Sequence, residues 1–507
     1  MSSSSLDQAK YGALISYITI GFYILSGVLY TPYLISKLGI SDYGIYNMSI
    51  SVVAYFSIDF GIGAALTRFI ARYRAQGCDD SIKNIIGLTT KLYLVIDFFV
   101  FVALSILYLF ADSLFSNLTP NELERFKTVF LITAAFILIS FPLLPMNGIL
   151  LAYERIIFIQ TTELISKVLS VLLLVLALWL GYGLFTVVLV NSIVVLTTQF
   201  VKLYLIQGRL HAGCNLSYYN KDDLHSIGSF SLWATVATIA DKFFFPIIPF
   251  LLAALSNTTE VSVFAIVAAI EGYVLTIARA MNGIFLPKVM KHVVADSDKE
   301  ILTSMMIKVG RVQLYIVGMI VFLLFAFGRD FIRLWVGESF DTAYLGLLFV
   351  LSPCIFHLTM GIGEELILAE NKVMYRAIIY LCGSAINIIA ILLLSPRYGA
   401  IGASISVSIA FIVAYNILAA YIYQKKIGLN MTRFYKECHF RILPFLVIIL
   451  SVCLLVNRLW ESHSLFGLLI KIFVCAFFGF FVLWLFVMNS EEKELVLSFV
   501  KNSKRNE

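Results

Sequence analysis

The sequence has little charge and no long polar stretch. Charged residues make up only 13% of the 507 residues, whereas hydrophobic residues make up 60%, far from the balance of a water-soluble protein. From residue 11 to residue 488 the chain offers about fourteen apolar stretches, each long enough to cross a bilayer. Almost no length remains for a water-soluble domain, so we predict an all-α polytopic membrane protein.

The signatures of several enzyme classes are also missing. The seven cysteines show no paired spacing, and no His/Cys cluster has the spacing of metal ligands. There is no glycine-rich phosphate loop ending in Lys-Ser or Lys-Thr, and no large loop carries paired carboxylates. We therefore expect a protein that is not an enzyme, with no catalytic residues, no metal and no cofactor.

The apolar stretches give the approximate limits of the membrane spans. They predict spans at 11–37, 42–67, 84–111, 127–152, 156–180, 183–206, 227–255, 260–286, 309–328, 341–368, 375–395, 398–424, 440–458 and 464–488. The polar start, residues 1–10, has no small-residue cleavage site before the first span, so we expect that span to be retained.

Positive charge is distributed unevenly between the loops that join these spans. One set of alternate loops carries roughly 25 Lys and Arg residues and the other set roughly 7. Because Lys/Arg-rich loops stay in the cytoplasm, we predict that both termini are cytoplasmic. Membrane orientation explains the basic loops, so we expect no nucleic-acid partner.

An internal repeat of about 216 residues organises the chain. Residues 179–184 (WLGYGL) resemble residues 395–400 (SPRYGA), and residues 148–155 (GILLAYER) resemble residues 365–372 (ELILAENK). Six spans followed by six more, each set starting on the same side, predict two lobes related by an axis along the membrane normal. Transporters of this kind hold their substrate between the two halves near the midplane.

The repeat also predicts how the chain divides into domains. We expect an N-terminal lobe at 1–210 and a C-terminal lobe at 211–437. Two extra transmembrane helices and a cytoplasmic tail then occupy 438–507.

Several charged residues fall inside the predicted spans, where an isolated charge costs at least about 2.5–3.5 kcal/mol. They are Asp59, Asp97, Glu163, Lys167, Asp241, Lys242, Glu271, Arg279, Glu364 and Glu365. Each one either faces a polar cavity, where it binds substrate or a coupling ion, or makes a hydrogen bond that fixes helix packing. Glu163 and Lys167 are four residues apart, which predicts an intrahelical ion pair.

The first two spans carry motifs that resemble a known family. Residues 30–46 (YTPYLISKLGISDYGIY), 59–63 (DFGIG) and 68–74 (RFIARYR) resemble the start of the Wzx-type polysaccharide flippases. These belong to the multidrug/oligosaccharidyl-lipid/polysaccharide exporter superfamily. The resemblance covers roughly residues 10–425. It implies translocation of undecaprenyl-diphosphate-linked oligosaccharide repeat units, such as O-antigen units, from the cytoplasmic to the outer leaflet by alternating access.

The resemblance implies a central cavity lined by the first two spans of the second half. On that architecture Arg279 and Lys242 bind the diphosphate, because cationic side chains pair strongly with phosphate. Arg68, at the end of the second span, could gather diphosphate at the cytoplasmic entrance or serve only as an orientation signal. The other substrate-binding candidates are Asp59 and Glu364, and the candidates for ion coupling are Asp59, Asp97, Asp241 and Glu271.

The resemblance also implies a setting and partners. We expect a multi-pass protein of the bacterial inner membrane, with a proton or sodium counter-ion and with the polymerase and chain-length proteins of the same lipopolysaccharide pathway as partners. Three alternatives remain. They are a cation-coupled drug exporter of the same superfamily, a lipid II flippase, and a membrane-embedded polysaccharide polymerase or ligase, which would need a large outer loop.

Overall fold

The computed structural model describes residues 3–210, 212–294 and 298–494, and within these ranges the chain is almost entirely helical. It divides into two compact units. The first is built from the described residues up to Ala265 together with Ile388–Ala403, and the second from Ile266–Asn387 and the described residues from Ser404 onward. The predicted tail beyond Glu494 lies outside the described residues.

The first unit contains eleven complete helices within its described residues. They are α1 (Ser3–Leu38), α2 (Ile40–Phe56), α3 (Ile62–Gln76), α4 (Asp79–Leu109), α5 (Ala111–Leu114), α6 (Pro120–Ser140), α7 (Met146–Ala152), α8 (Ile156–Trp179), α9 (Leu184–Gly208), α10 (Lys221–Lys242) and α11 (Ile248–Leu255). A 3-10 turn, Phe141–Leu143, follows α6.

The remaining helices belong wholly or partly to the second unit, and two of them, α12 and α17, also run through the first. They are α12 (Thr258–Val294), α13 (Lys299–Gln313), α14 (Met319–Val336), α15 (Ala343–Thr359), α16 (Gly361–Ala369), α17 (Val373–Ala410), α18 (Ala419–Ile422), α19 (Met431–Phe434), α20 (Phe440–Leu459) and α21 (Leu465–Phe486). Four π-helical turns interrupt this series, at Leu314–Gly318, Phe411–Leu418, Tyr423–Ile427 and Tyr435–His439.

Ten helices of the described chain are long and apolar enough to cross a bilayer, or eleven if α15 and α16 together form one bent span. The count is below fourteen because the predicted spans 42–67 and 227–255 are each broken into two helices. In addition, the predicted spans 375–395 and 398–424 run together in one stretch of 55 residues, Val373–Ile427. At about 1.5 Å per residue this stretch is more than twice as long as a bilayer core is thick. Fourteen crossings therefore stay a prediction.

The long stretch bends at a glycine. Gly399 has φ 52° and ψ −129°, which is not helical, inside α17. The backbone N–H of the next residue, Ala400, donates to the Glu260 carboxylate at 2.7 Å. A side chain at position 399 would collide with that carboxylate, so both the backbone angles and the space require glycine here.

The predicted repeat is visible in two turns. Glu154 and Asn371 both have left-handed backbone, with φ 57° and 55°. The next N–H in each turn reaches back five residues, from Arg155 to the Leu150 carbonyl at 2.9 Å and from Lys372 to the Ile367 carbonyl at 2.8 Å. These are the bonds of a Schellman helix ending. The two turns match in a register of 217 residues, from 154 to 371.

The last helical hairpin is fixed to α14 by buried polar groups. Lys471 is only 1% exposed, and its ammonium donates to the Asn457 side-chain oxygen at 2.6 Å and to the Trp460 carbonyl at 2.7 Å. The Asn457 amide nitrogen in turn donates to Asp330 of α14 at 2.9 Å. Helices α20 and α21 are thereby joined to each other and to α14 inside the second unit.

Candidate functional site

A cluster of charged and aromatic side chains lies around the start of α17 in the second unit. Arg376 Nε is 3.0 Å from Glu364 Oε1, and the Tyr380 hydroxyl donates to the same carboxylate oxygen. The Arg376 guanidinium also lies over the Tyr380 ring, 5.1 Å from its centroid. The Glu364 and Arg376 side chains are 25% and 32% exposed, while the Arg376 Nε that faces the carboxylate is buried, so both side chains are accessible in part.

A helix break positions Glu364 in this cluster. Helices α15 and α16 meet at an angle of 48°, and α16 begins at Gly361, three residues before Glu364. A Cβ at Gly363 would lie 2.8 Å from the Tyr423 ring, so only glycine lets α16 approach that ring closely. Gly361 and Gly363 therefore allow the close packing that fixes the carboxylate in place.

Two other predicted residues act on this cluster through their charge. Arg279, exposed on α12, interacts electrostatically with Glu364 and with the neighbouring His357. Glu271 is 4% exposed on the same helix, and its charge acts, as does that of Arg279, on Cys354. The second unit thus brings Arg279, Glu271 and Glu364 into one electrostatic neighbourhood.

Aromatic rings surround the histidine of this neighbourhood. The His357 ring stacks on Phe411 with centroids 5.8 Å apart and meets the edge of Tyr415 at 5.0 Å. Tyr415 in turn lies 5.5 Å from Tyr380. Phe411 and Tyr415 belong to a π-helical turn, a distortion that often occurs at functional sites.

The first unit contains a polar cluster centred on a buried lysine. Lys202 of α9 is 2% exposed, and its ammonium donates to the Asn147 side-chain oxygen at 2.8 Å. Glu163 Oε1 lies 3.5 Å from the same nitrogen. Because removing a lysine from water is costly unless it is paired, these two partners account for its burial.

The two clusters occupy matching positions in the repeat. In the register of 217 residues, Asn147 corresponds to Glu364 and Glu163 corresponds to Tyr380. In the second unit this pair of positions is joined by a direct hydrogen bond, whereas in the first unit Lys202 bridges them. Each half of the chain therefore builds a polar centre at the same place, with different chemistry.

Asp59 lies in the break between α2 and α3, in the first unit. Its carboxylate accepts the Gly63 N–H at 3.1 and 3.3 Å and the Tyr93 hydroxyl. The preceding helix has ended at Phe56, and Phe60 and Gly61 both have positive φ, 51° and 66°. Asp59 thus satisfies an N–H at the start of α3, as helix-capping carboxylates do.

The other predicted site residues lie outside these clusters. Lys242 is the last residue of α10 and is partly exposed, and the preceding Asp241 is exposed. Arg68 is exposed on α3. Asp97 lies within α4, and its Oδ1 is buried with no hydrogen-bond partner in the part of the chain that the structure describes.

The predicted ion pair between Glu163 and Lys167 is wrong. Glu163 turns instead to Lys202, 39 residues further along the chain, and Lys167 lies over the ring of Tyr23, 4.8 Å from its centroid. Two residues of the clusters, Lys202 and Arg376, are not among the site residues that the sequence predicts. The repeat register could have identified them, because it aligns their partners Asn147 and Glu364.

The cluster of the second unit can bind an anion that replaces the Glu364 carboxylate beside Arg376. Arginine presents donors that match a phosphate, and here Arg376 is held by a carboxylate that an incoming anion could replace. In the described residues no group of three His, Cys, Asp or Glu side chains could hold a metal ion. The arrangement therefore suits electrostatic binding and release.

The fold is shared with solved membrane transporters. The lipid II flippase MurJ, in an inward closed conformation, aligns with a TM-score of 0.70 at 14% identity, over 92% of this chain and 97% of MurJ. The MATE multidrug transporter DinF-BH aligns with a TM-score of 0.58 at 17% identity, over 84% of this chain and 96% of DinF-BH. The MATE transporter VcmN of Vibrio cholerae aligns with a TM-score of 0.53 at 18% identity, over 84% of this chain and 98% of VcmN.

The helices and the fold define a multi-pass membrane protein that shares its fold with MurJ and with MATE transporters. The chain belongs to the polysaccharide biosynthesis protein family, whose model matches residues 11–290. No curated protein sequence matches the chain.

Proposed function

We propose that this protein is a flippase for undecaprenyl-diphosphate-linked oligosaccharide repeat units, of the O-antigen or a related surface polysaccharide. It moves them by alternating access from the cytoplasmic to the outer leaflet of the inner membrane. Membership of the polysaccharide biosynthesis family supports the substrate class, and the flippase fold supports the activity. The two lobes at 1–210 and 211–437, the helices after 438 and the cytoplasmic termini belong to this proposal.

The observation that carries the proposal is the partly exposed Arg376–Glu364 ion pair with Arg279 nearby. A diphosphate is anionic, and an Arg376–Glu364 ion pair that can open offers it a binding site at the start of α17. The diphosphate is released when Arg376 pairs with Glu364 again. Lys242 and Arg68 are proposed as further contacts for the anion along its path.

We assign the acidic residues to a second role. Asp59, Asp97, Asp241 and Glu271 are proposed to bind the proton or sodium ion that drives the cycle. Asp97 suits proton binding best, because one of its oxygens is buried without a partner in the described residues and a neutral carboxyl is favoured where water is scarce.

The test is complementation of a gene deletion in the native host. Deletion should abolish surface polysaccharide and leave lipid-linked repeat units on the cytoplasmic face. The wild type and Arg329→Ala, a control in an arginine that pairs with Asp341 away from the clusters, should restore the polymer. Arg279→Ala and Arg376→Ala should not, although both reach the membrane.

Two other results of this experiment would change the proposed function. Normal polymer and normal intermediates in the deletion strain, without a redundant flippase, would refute the proposal and direct attention to drug efflux. Accumulation of lipid II in place of repeat units would assign the chain to lipid II flipping, a close variant that the charges do not separate.

A further inference from the structure

An apolar groove runs between α1 and α8 in the first unit. It has a volume of about 480 Å³ and is lined on α1 by Leu25, Leu29 and Tyr33 and on α8 by Val168, Leu172 and Val175, among others. Leu25, Leu29 and Leu172 are 61, 67 and 62% exposed, so the groove opens on the surface of the unit. Its walls suit a hydrocarbon chain.

A lysine stands at one end of this groove. Lys167 lies one helical turn before Val171, which also lines the groove, on the same side of α8. Its ammonium sits 4.8 Å from the centroid of the Tyr23 ring, one turn before Ser26 in the opposite wall. Among the described residues, Lys167 has no carboxylate within ion-pair distance, since Glu163 bonds to Lys202.

The depth of this lysine is unusual. Helix α8 has 24 residues, and Lys167 is at its middle, so a membrane-spanning α8 places the Lys167 Cα about 15 Å from either face of the hydrocarbon core. A charge on a residue at this depth without a carboxylate partner is costly, and such residues mark substrate or ion pathways.

We propose that the groove and Lys167 form a binding site for the lipid-linked substrate in the middle of its translocation. Lys167 binds the phosphate of the headgroup, and the groove holds the first part of its isoprenoid chain. This inference rests on the proposed function and adds a site in the first unit, separate from the arginines of the second.

The position of Lys167 selects the transported lipid over ordinary phospholipids. A resident phospholipid keeps its phosphate at the membrane surface and places only its acyl chains at the depth of Lys167. Only a lipid that is crossing the membrane brings an anion to this depth. The Lys167 ammonium, with the apolar groove leading away from it, matches a molecule with one anionic end and one long hydrocarbon chain.

Binding of undecaprenyl diphosphate to the purified full-length protein tests the proposal, with phosphatidylglycerol as the resident-lipid comparison. Lys167→Met keeps the length and apolar stem but removes the charge, and should weaken undecaprenyl diphosphate binding roughly tenfold or more, as expected for loss of a charged hydrogen bond. Lys167→Arg should bind within about threefold of the wild type. Phosphatidylglycerol binding should be the same in all three proteins.

A second pair of variants tests the groove without touching the charge. Val175→Trp should fill the groove and weaken undecaprenyl diphosphate binding. Leu176→Trp is the matched control, because Leu176 is 48% exposed on the same helix and does not line the groove. The thermal stability of all variants establishes that they fold.

The outcomes separate this inference from the proposed function. If the wild type binds undecaprenyl diphosphate and Lys167→Met and Val175→Trp bind it equally well, the site is wrong and the function stands. If phosphatidylglycerol binding falls in parallel, the groove is a resident-lipid site and the inference is overturned. If the wild type does not bind undecaprenyl diphosphate at all, the inference is overturned, and the deletion strain decides the proposed function separately.

Discussion

At the scale of single residues, two lysines and one carboxylate fix the turn between α16 and α17, next to the cluster of the second unit. Glu370, in the turn between α16 and α17, accepts hydrogen bonds from Lys299 at 2.5 Å and from Lys372 at 2.7 Å. Lys372 also donates to the Lys426 carbonyl at 2.9 Å. Burial acts to raise the pKa of Glu370, but the two lysines outweigh it and the pKa lies below its ordinary value.

This lowered pKa predicts how stability depends on pH. A carboxyl whose folded pKa is below its unfolded pKa stabilises the fold above the unfolded pKa, and that contribution is lost as pH falls through the folded pKa. Glu370→Gln should therefore lower the free energy of unfolding near neutral pH. The loss should be at most about 1 kcal/mol, because the lysine partners of Glu370 are partly exposed. The difference from the wild type should shrink as the pH falls from neutral through the unfolded glutamate pKa of about 4.3 and then through the lower folded pKa.

Thermal unfolding over that pH range checks the prediction, and Glu338→Gln serves as the control. Glu338 is exposed and makes no ion pair with any described residue. A difference between wild type and Glu370→Gln that stays constant with pH would mean that the charge of Glu370 contributes nothing.

Residue partners were the part of the site that the sequence predicted least well. The spacing of Glu163 and Lys167 is right for a helical pair, yet Glu163 bonds to a lysine on another helix. Local spacing identifies only neighbours on one helix. The free-energy cost of burying Lys202 is instead offset by polar groups that tertiary packing brings close to it. Glu364 is among the substrate-binding residues that the sequence predicts, but its partners Arg376 and Tyr380 are not.

At the scale of helices and turns, the repeat gives a matched experiment. Positions 154 and 371 share the same left-handed backbone, but one holds Glu and the other Asn, and both are exposed. Asparagine tolerates this conformation better than glutamate. Glu154→Asn should raise the free energy of unfolding by about 0.5–1 kcal/mol, and Asn371→Glu should lower it by a similar amount.

Thermal unfolding of the two single variants measures these changes, and the wild-type protein is the reference for both. Opposite signs are required. Two changes of the same sign would show that contacts outside the turn, and not backbone conformation, control stability at these positions.

Helices were predicted better than their interruptions. Apolar length predicts spans because a bilayer offers no partner to the backbone, so an apolar chain must form helices there. The breaks at 57–61 and at Phe243–Ile247 depend on particular contacts, such as the Tyr93 and Gly63 bonds to Asp59. Hydropathy does not record such contacts, since it counts only how apolar each segment is.

At the scale of the whole molecule, the natural cysteines can test the predicted orientation. Cys78 and Cys214 are exposed, whereas Cys354, Cys438, Cys453 and Cys475 are buried. Both exposed cysteines lie in loops that the basic residues assign to the cytoplasm. A membrane-impermeant maleimide should therefore label Cys78 and Cys214 only in inverted vesicles or opened cells.

Asn117→Cys, in a chain with Cys78→Ser and Cys214→Ser, is the opposite-side control, because Asn117 is exposed in a loop assigned to the outer face. It should react in intact spheroplasts. Labelling of Cys78 or Cys214 in intact spheroplasts would reverse the orientation and with it the direction of the proposed transport.

The polar connection between α14 and the last hairpin has a consequence for biogenesis. Asn457 leaves the ribosome 127 residues after Asp330, which it later binds, and Lys471 follows later still. Until then α14 is without this partner, and Lys471 on arrival buries its charge against the Asn457 side-chain oxygen and the Trp460 carbonyl of α20 and the residue that follows it. A nascent chain that stops before the hairpin therefore leaves Asp330 without its Asn457 partner, and synthesis of α20 and α21 supplies Asn457 and then Lys471.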